Sequence, residues 1–198
     1  APQGYVINTT PITFVIDAEA MGVPTRVETS HINYKGSVSF VKQDASGHVL
    51  EGATYKLYDA TMKQIGDTYV TDESGLITVS DLAPGTYQFV EVAAPNGYII
   101  NTVPAEFTIQ AESKGEPASV VIHHINYKGS VSLIKEDAHG NRLQDAVYKL
   151  YDADKQQIGD TYTTDTQGTI VVSDLAPGTY TFVEVTAPNG FMINTLPA

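Results

Sequence analysis

Lys42, Glu91 and Asn126 are polar residues placed where alternation calls for apolar ones. In Ser37-Val38-Ser39-Phe40-Val41-Lys42, a two-residue period puts Lys42 on the face marked by Val38 and Phe40. Glu91 falls on the face of Tyr87 and Phe89, and Asn126 ends a run with Val120, Ile122 and His124 in its register. The pattern returns with Lys135 behind Val131 and Leu133, and with Glu184 behind Tyr180 and Phe182. An amine and a carboxyl in an apolar interior are costly unless they pair or give up their charges. Alternation leaves two outcomes open: the groups meet inside, or they lie at strand ends and reach water.

The segments that must position these residues read as strands throughout. Besides 37–42, the runs 54–58, 64–71, 86–92, 106–110 and 119–126 are rich in Tyr and β-branched residues, and Asp72-Glu73-Ser74-Gly75 is a turn. No window has a helical apolar period with caps. About seven short strands with Gly, Pro and Asn turns predict an all-β fold of tandem Ig-like or prealbumin-like sandwiches.

The strands belong to a repeat. Ala1-Pro2-Gln3-Gly4-Tyr5 returns as Ala94-Pro95-Asn96-Gly97-Tyr98 and as Ala187-Pro188-Asn189-Gly190-Phe191, each 93 residues on. His31-Ile32-Asn33-Tyr34-Lys35-Gly36 returns from His124 at the same offset. A 93-residue unit is large enough for its own core. Residues 1–34 are expected to be the C-terminal part of one module, 35–127 a complete one, and 128–198 the start of another that lacks its last strands. A three-residue junction, Tyr34-Lys35-Gly36, favours a stiff rod over beads on a string.

Composition removes several functions. The chain has 198 residues, no cysteine and a formal charge of −12. Disulfides, metal thiolates and thiol nucleophiles are excluded, and no basic stripe exists for nucleic acid. No apolar run reaches the length of a membrane span, and Ala1 opens no signal peptide, which marks the sequence as a mature or internal fragment. His31 and His123-His124 lack the cysteine or carboxylate companions of a metal site and read as strand histidines. Asp72 with Glu73 lacks the spaced oxygens of a calcium loop. Asn8-Thr9-Thr10 is a low-information glycosylation triplet. Leu196-Pro197-Ala198, which looks like the start of a sortase signal, repeats Val103-Pro104-Ala105 and is ordinary module sequence. No cofactor or metal is expected.

The segments 36–44, Gly52-Ala53-Thr54-Tyr55-Lys56-Leu57-Tyr58-Asp59, Leu82-Ala83-Pro84-Gly85-Thr86-Tyr87 and Phe89-Val90-Glu91-Val92-Ala93-Ala94-Pro95-Asn96-Gly97-Tyr98 resemble the CnaB-type modules of Gram-positive collagen-adhesin stalks and SpaA-like pilins. The resemblance covers the whole chain. It implies a spontaneous isopeptide bond with Lys42 as nucleophile, Asn126 as acceptor and Glu91 as the assisting carboxyl. Val92 stands where threonine is common in the family's glutamate segment, and the glutamate itself is kept. Burial favours an uncharged amine, the form that attacks, and a protonated carboxyl would polarise the amide and carry protons as ammonia leaves. This is one turnover within the chain, so no enzyme is implied. In the incomplete modules, Lys135 and Glu184 await an acceptor and Asn33 awaits a lysine. Asn33 of a second copy, joining head to tail, is one way to complete the site.

The resemblance implies an extracellular, cell-wall-anchored stalk or fibre repeat of a Gram-positive-type surface protein, whose partners are neighbouring modules. A module that binds host matrix protein or glycan is the alternative. Near-identity of the repeats, with no distinct loop, favours the spacer. An accessory domain of an extracellular enzyme is a third reading, against which the array of matching modules argues.

Overall fold

The computed structural model describes residues 1–17 and 26–194. Leu196-Pro197-Ala198 lies outside the described residues. The chain forms two compact units, residues 1–96 with 100–126 and residues 97–99 with 127–198. All regular structure among the described residues is β.

In the first unit, β1 (Ile7–Asn8), β2 (Gly36–Asp44), β3 (Thr54–Asp59), β4 (Gln64–Val70), β5 (Leu76–Leu82), β6 (Gly85–Ala93), β7 (Ala105–Ile109), β8 (Glu112–Ser113) and β9 (Ser119–Asn126) follow in order. One sheet has the order β5-β2-β9 and the other β4-β3-β6-β7; β1 pairs with β8. The first and last long strands, β2 and β9, run parallel with Lys42 opposite His124 and Asp44 opposite Asn126. Val38 and Phe40 of β2, Tyr55 and Leu57 of β3, Ile77 and Val79 of β5, Phe89 of β6 and Phe107 and Ile109 of β7 fill the space between the sheets. The all-β sandwich expected from strand alternation is what the chain adopts.

Strand ends match the sequence reading to within a residue or two; the two-residue strands β1 and β8 and one long strand, β5, were not expected. Its inward residues Ile77 and Val79 alternate, but the next buried residue is Leu82 rather than Asp81. Asp81 adopts φ +62°, and the β2–β5 register slips between Gly36 and Val38. That bulge shifts the phase of the pattern, so a strict two-residue period does not find it.

Residues preceding β2 also build this unit. Val6 is 1% exposed and belongs to its core. Its N–H donates to Tyr34 O at 2.8 Å, and Ile7 N–H donates to Ala111 O at 2.8 Å. A valine within the segment expected to close a preceding module therefore packs into the core of the first unit.

The second unit repeats five of these strands: β10 (Gly129–Ile134), β11 (Val147–Asp152), β12 (Gln157–Thr163), β13 (Thr169–Leu175) and β14 (Tyr180–Thr186). β10 pairs with β13, and β12-β11-β14 forms the second sheet. Among the described residues, nothing takes the places of β7 and β9. Val131 and Leu133, at the positions of the fully buried Val38 and Phe40, are only partly buried. They line an open groove of about 600 Å³ with Leu175, Tyr180 and Phe182. Ile99, at the position of Val6, is 44% exposed although its N–H makes the same bond, to Tyr127 O.

Equivalent residues thus differ in burial, which gives a direct comparison. Val6→Ala is expected to lower the stability of the first unit by about 2 kcal/mol in urea unfolding, as core truncations do. Ile99→Ala should cost the second unit a small fraction of that. Equal effects at the two positions would show that Val6 is not part of the core.

A buried lysine, glutamate and asparagine

Lys42 is reached by continuing β2 one step past Phe40. Its backbone is fixed on both sides: Lys42 N–H donates to Gly75 O at 2.8 Å, and Lys42 O accepts from Leu50 N–H at 2.9 Å. Gly75 closes the Asp72–Gly75 turn with φ +69°, and a Cβ there would lie 2.6 Å from Lys42 O. A side chain at this position is therefore excluded on both conformational and steric grounds.

The Lys42 side chain is 0% exposed. Its Nζ lies 3.7 Å from Glu91 Oε1 and 5.8 Å from the centre of the Tyr55 ring. Glu91, from β6, lies opposite Tyr55 of β3 across the four-stranded sheet. Its other oxygen, Oε2, accepts from Asn126 Nδ2 at 3.0 Å and from Asn101 N–H at 2.6 Å. One carboxylate thus binds the lysine of β2 through one oxygen and the asparagine of β9 through the other. Asn126 is 0% exposed. The open alternative of strand ends reaching water does not hold for this trio. The amide nitrogen of Asn126, rather than its oxygen, faces Glu91.

Burial pulls the Lys42 ammonium down from its ordinary 10.5 to about 8, and the neighbouring carboxylate of Glu91 only partly offsets this. Burial also pushes the Tyr55 hydroxyl up, reinforced by the charge of Glu91 and a hydrogen bond to it, so Tyr55 stays a phenol. The site therefore holds an amine easily freed of its proton and a carboxyl that accepts from the Asn126 amide through one oxygen and lies 3.7 Å from the amine through the other.

In the second unit, Lys135 Nζ lies 3.0 Å from Glu184 Oε1, and Asn194 N–H donates to Glu184 Oε2 at 2.7 Å. The lysine and glutamate meet as in the first unit. Lys135, however, keeps 14% of its side chain exposed. Burial again pulls its ammonium down, but the hydrogen bond to Glu184, with the charges of Tyr148 and Glu184, outweighs this and holds it above the ordinary value. Asn33 is not brought to a lysine in its own unit; its Nδ2 donates to Val6 O at 2.8 Å.

Two participants were not singled out from the sequence. Asn101 holds Glu91 through its N–H and β9 through its side chain, which donates to Ile125 O at 2.9 Å. The repeat carries the signal: Asn8 makes the matching bond to Ile32 O, and Asn194 the matching bond to Glu184. His124 is buried beside Lys42, with Nδ1 at 3.2 Å from Nζ. Its position two residues before Asn126, repeated as His31 before Asn33, placed it on the same face.

A family model described as SpaA, prealbumin-like fold domain, matches residues 36–122 and 129–198. A trypsin-resistant surface T6 protein of Streptococcus pyogenes serotype M6 is 35% identical over 85 residues, which is 42% of this chain and 16% of that protein. The solved structure of the Bacillus anthracis TIE protein is similar over 100% of this chain and 37% of its own, with 28% identity and a TM-score of 0.54. A streptococcal ancillary pilin is similar over 87% of this chain and 67% of its own, with 23% identity and a TM-score of 0.42. The chain spans only a minor part of the first two of these relatives.

The lowered Lys42 value has a thermodynamic consequence, readable where the acceptor is removed. In an Asn126→Ala chain the unfolded lysine keeps its proton up to about 10.5, whereas the folded one loses it near 8. The cost of burying the ammonium is then fully present below pH 8 and fades as the pH rises from 8 to 10.5. Stability should rise by about 3 kcal/mol over that window, relative to a Lys42→Met/Asn126→Ala chain. Parallel pH curves for the two chains would show that Lys42 carries no such cost.

Proposed function

Because the chain belongs to the SpaA family of prealbumin-like fold domains, we propose that it is a structural repeat of a bacterial cell-surface stalk or fibre, in which each complete module is braced by an amide bond between Lys42 Nζ and Asn126 Cγ. The observation that carries this reading is the joint contact of Lys42 and Asn126 with one buried carboxylate, Glu91, in a site closed to water. The surface-protein relative and the modular repeat support the stalk.

The reaction uses only groups in the site. The uncharged amine of Lys42 attacks Cγ of Asn126; the new C–N bond forms and an electron pair moves to Oδ1. Glu91 takes a proton from the attacking nitrogen and delivers one to Nδ2, which it already touches. The Cγ–Nδ2 bond then breaks and ammonia leaves. The sandwich supplies alignment and excludes the water that would hydrolyse the amide instead. No cofactor is needed, and the event happens once per module.

The bond would join residues 84 positions apart. By analogy with a disulfide closing such a loop, it stabilises the module by roughly 4–5 kcal/mol. It would also tie the parallel strands β2 and β9 to each other, so that tension passes across one covalent link and the strands between are spared. A cysteine-free protein gains in this way what disulfides give elsewhere outside the cell.

The intact mass of the denatured chain tests this. The wild type is expected to weigh less than its sequence by one ammonia, whereas Lys42→Ala and Asn126→Ala chains carry the full sequence mass, and Glu91→Gln forms the bond at least a hundredfold more slowly. A wild-type mass equal to the sequence mass would remove the brace.

The Lys135–Glu184 half-site and the groove beside β10 favour a second event of the same kind, in which an asparagine-bearing strand docks in parallel with β10. In a longer chain the residues that follow would supply it. Residues 26–33 of a second copy, which carry His31-Ile32-Asn33 as β9 carries His124-Ile125-Asn126, would instead join two chains. That arrangement requires a ladder of dimers and trimers on a denaturing gel, lost in Lys135→Ala; monomer bands alone would remove it.

A further inference from the structure

The buried histidine beside the lysine has no part in the chemistry described above. His124 Nε2 lies 2.9 Å from Val103 O. A carbonyl oxygen can only accept, so Nε2 carries the hydrogen and, in the neutral ring, Nδ1 carries the lone pair. That lone pair faces inward, where it accepts from the Tyr55 hydroxyl at 2.7 Å and has Lys42 Nζ at 3.2 Å. The ring is wedged between Phe40 and Tyr55, with centroids 5.9 and 5.7 Å away. Parallel pairing places His124 opposite Lys42, and the residue two further on is Asn126. One strand therefore delivers both an acceptor amide and a basic nitrogen whose tautomer is already fixed.

We propose that His124 is the base that takes the proton from the Lys42 ammonium and so generates the nucleophile. This rests on the Lys42–Asn126 bond proposed above. The proton passes from Nζ to Nδ1 as the Tyr55 hydroxyl turns its own hydrogen from Nδ1 to Glu91, leaving an uncharged amine and an imidazolium whose N–H donates to the Tyr55 oxygen. The amine attacks Cγ of Asn126, Glu91 moves a proton from the attacking nitrogen to Nδ2, and ammonia departs. The departing ammonia collects the proton from Nδ1 and leaves as ammonium, which restores neutral His124. The balance is one lysine ammonium and one primary amide in, one secondary amide and one ammonium ion out.

A separate base is useful because Glu91 already accepts from Asn126 and Asn101 through Oε2 and stands 3.7 Å from Nζ, farther than Nδ1 does. The groups facing His124 are Lys42 of β2, Tyr55 of β3 and Glu91 of β6. Burial, followed by the charge of Lys42, pulls the imidazole below its ordinary value. His124 therefore enters the reaction uncharged and able to accept.

The test is the rate of ammonia loss as a function of pH. Wild-type and His124→Gln chains are collected unfolded, refolded by dilution at pH values from 6 to 10, quenched in acid at intervals and weighed intact. Glutamine keeps a donor for Val103 O but offers no basic nitrogen to Lys42. The variant is expected to react ten- to a hundredfold more slowly than wild type at pH 6–7, a modest share of what a general base contributes. The gap should close above the Lys42 value of about 8, where the amine frees itself. Equal rates at every pH, or a variant equally slow at every pH, would overturn the proposal, the latter assigning His124 to packing alone. If His124→Gln proves unfolded by circular dichroism, His124→Asn is read in the same way. A wild type that never loses ammonia would instead remove the underlying bond.

Discussion

A lysine side chain with no exposure to water, in a sandwich core among Phe40, Tyr55 and Phe89, is the constraint around which the first unit is organised. An ammonium in such a place costs several kcal/mol unless it is paired or neutralised. The structure answers with one carboxylate at 3.7 Å, a phenol, an imidazole lone pair and an asparagine on the same carboxylate. They come from three strands: Glu91 from β6, Tyr55 from β3, His124 and Asn126 from β9. Even the turn at Gly75 serves to hold the lysine backbone. A buried pair of this kind is weak evidence for ordinary stabilisation, since apolar residues would pack as well. On the proposed chemistry it is a set of reactants.

The second unit has no counterpart of β7 and β9 among the described residues, and the lysines of the two units differ accordingly. With β9 in place, Lys42 is sealed in and its ammonium falls to about 8. Without a counterpart of β9 among the described residues, Lys135 stays partly exposed, lies 3.0 Å from Glu184 and is held above the ordinary lysine value. The same sequence motif thus gives a persistent ammonium in the open unit and an amine close to release in the closed one. On the proposed chemistry, the last strand brings the acceptor, the base and the dryness together. The reaction would then begin only once the module has folded.

Much of this arrangement could be read from the amino-acid order. Alternation placed Lys42 behind Val38 and Phe40, and Glu91 behind Tyr87 and Phe89, because β2 and β6 are regular and each buries one face. It failed at β5, where the positive φ of Asp81 shifts the phase before Leu82. Pairing was beyond it: nothing local says that β2 and β9 run side by side in parallel, and without that neither the Lys42–His124 contact nor the role of Asn101 follows. His124 was visible as a residue on the face of Asn126, but its function depends on where Val103 O fixes its hydrogen. The contribution of Val6 was hidden for a similar reason. Val6 reaches the core from a distant segment through backbone bonds that leave no periodic trace.

Fragmentation mass spectrometry of a proteolytic digest of the wild-type chain reads directly whether β2 and β9 are covalently joined. One branched peptide is expected, whose two arms, from β2 and from β9, meet at Lys42 Nζ and Asn126 Cγ. Two linear peptides, each carrying its lysine or asparagine unaltered, would contradict it.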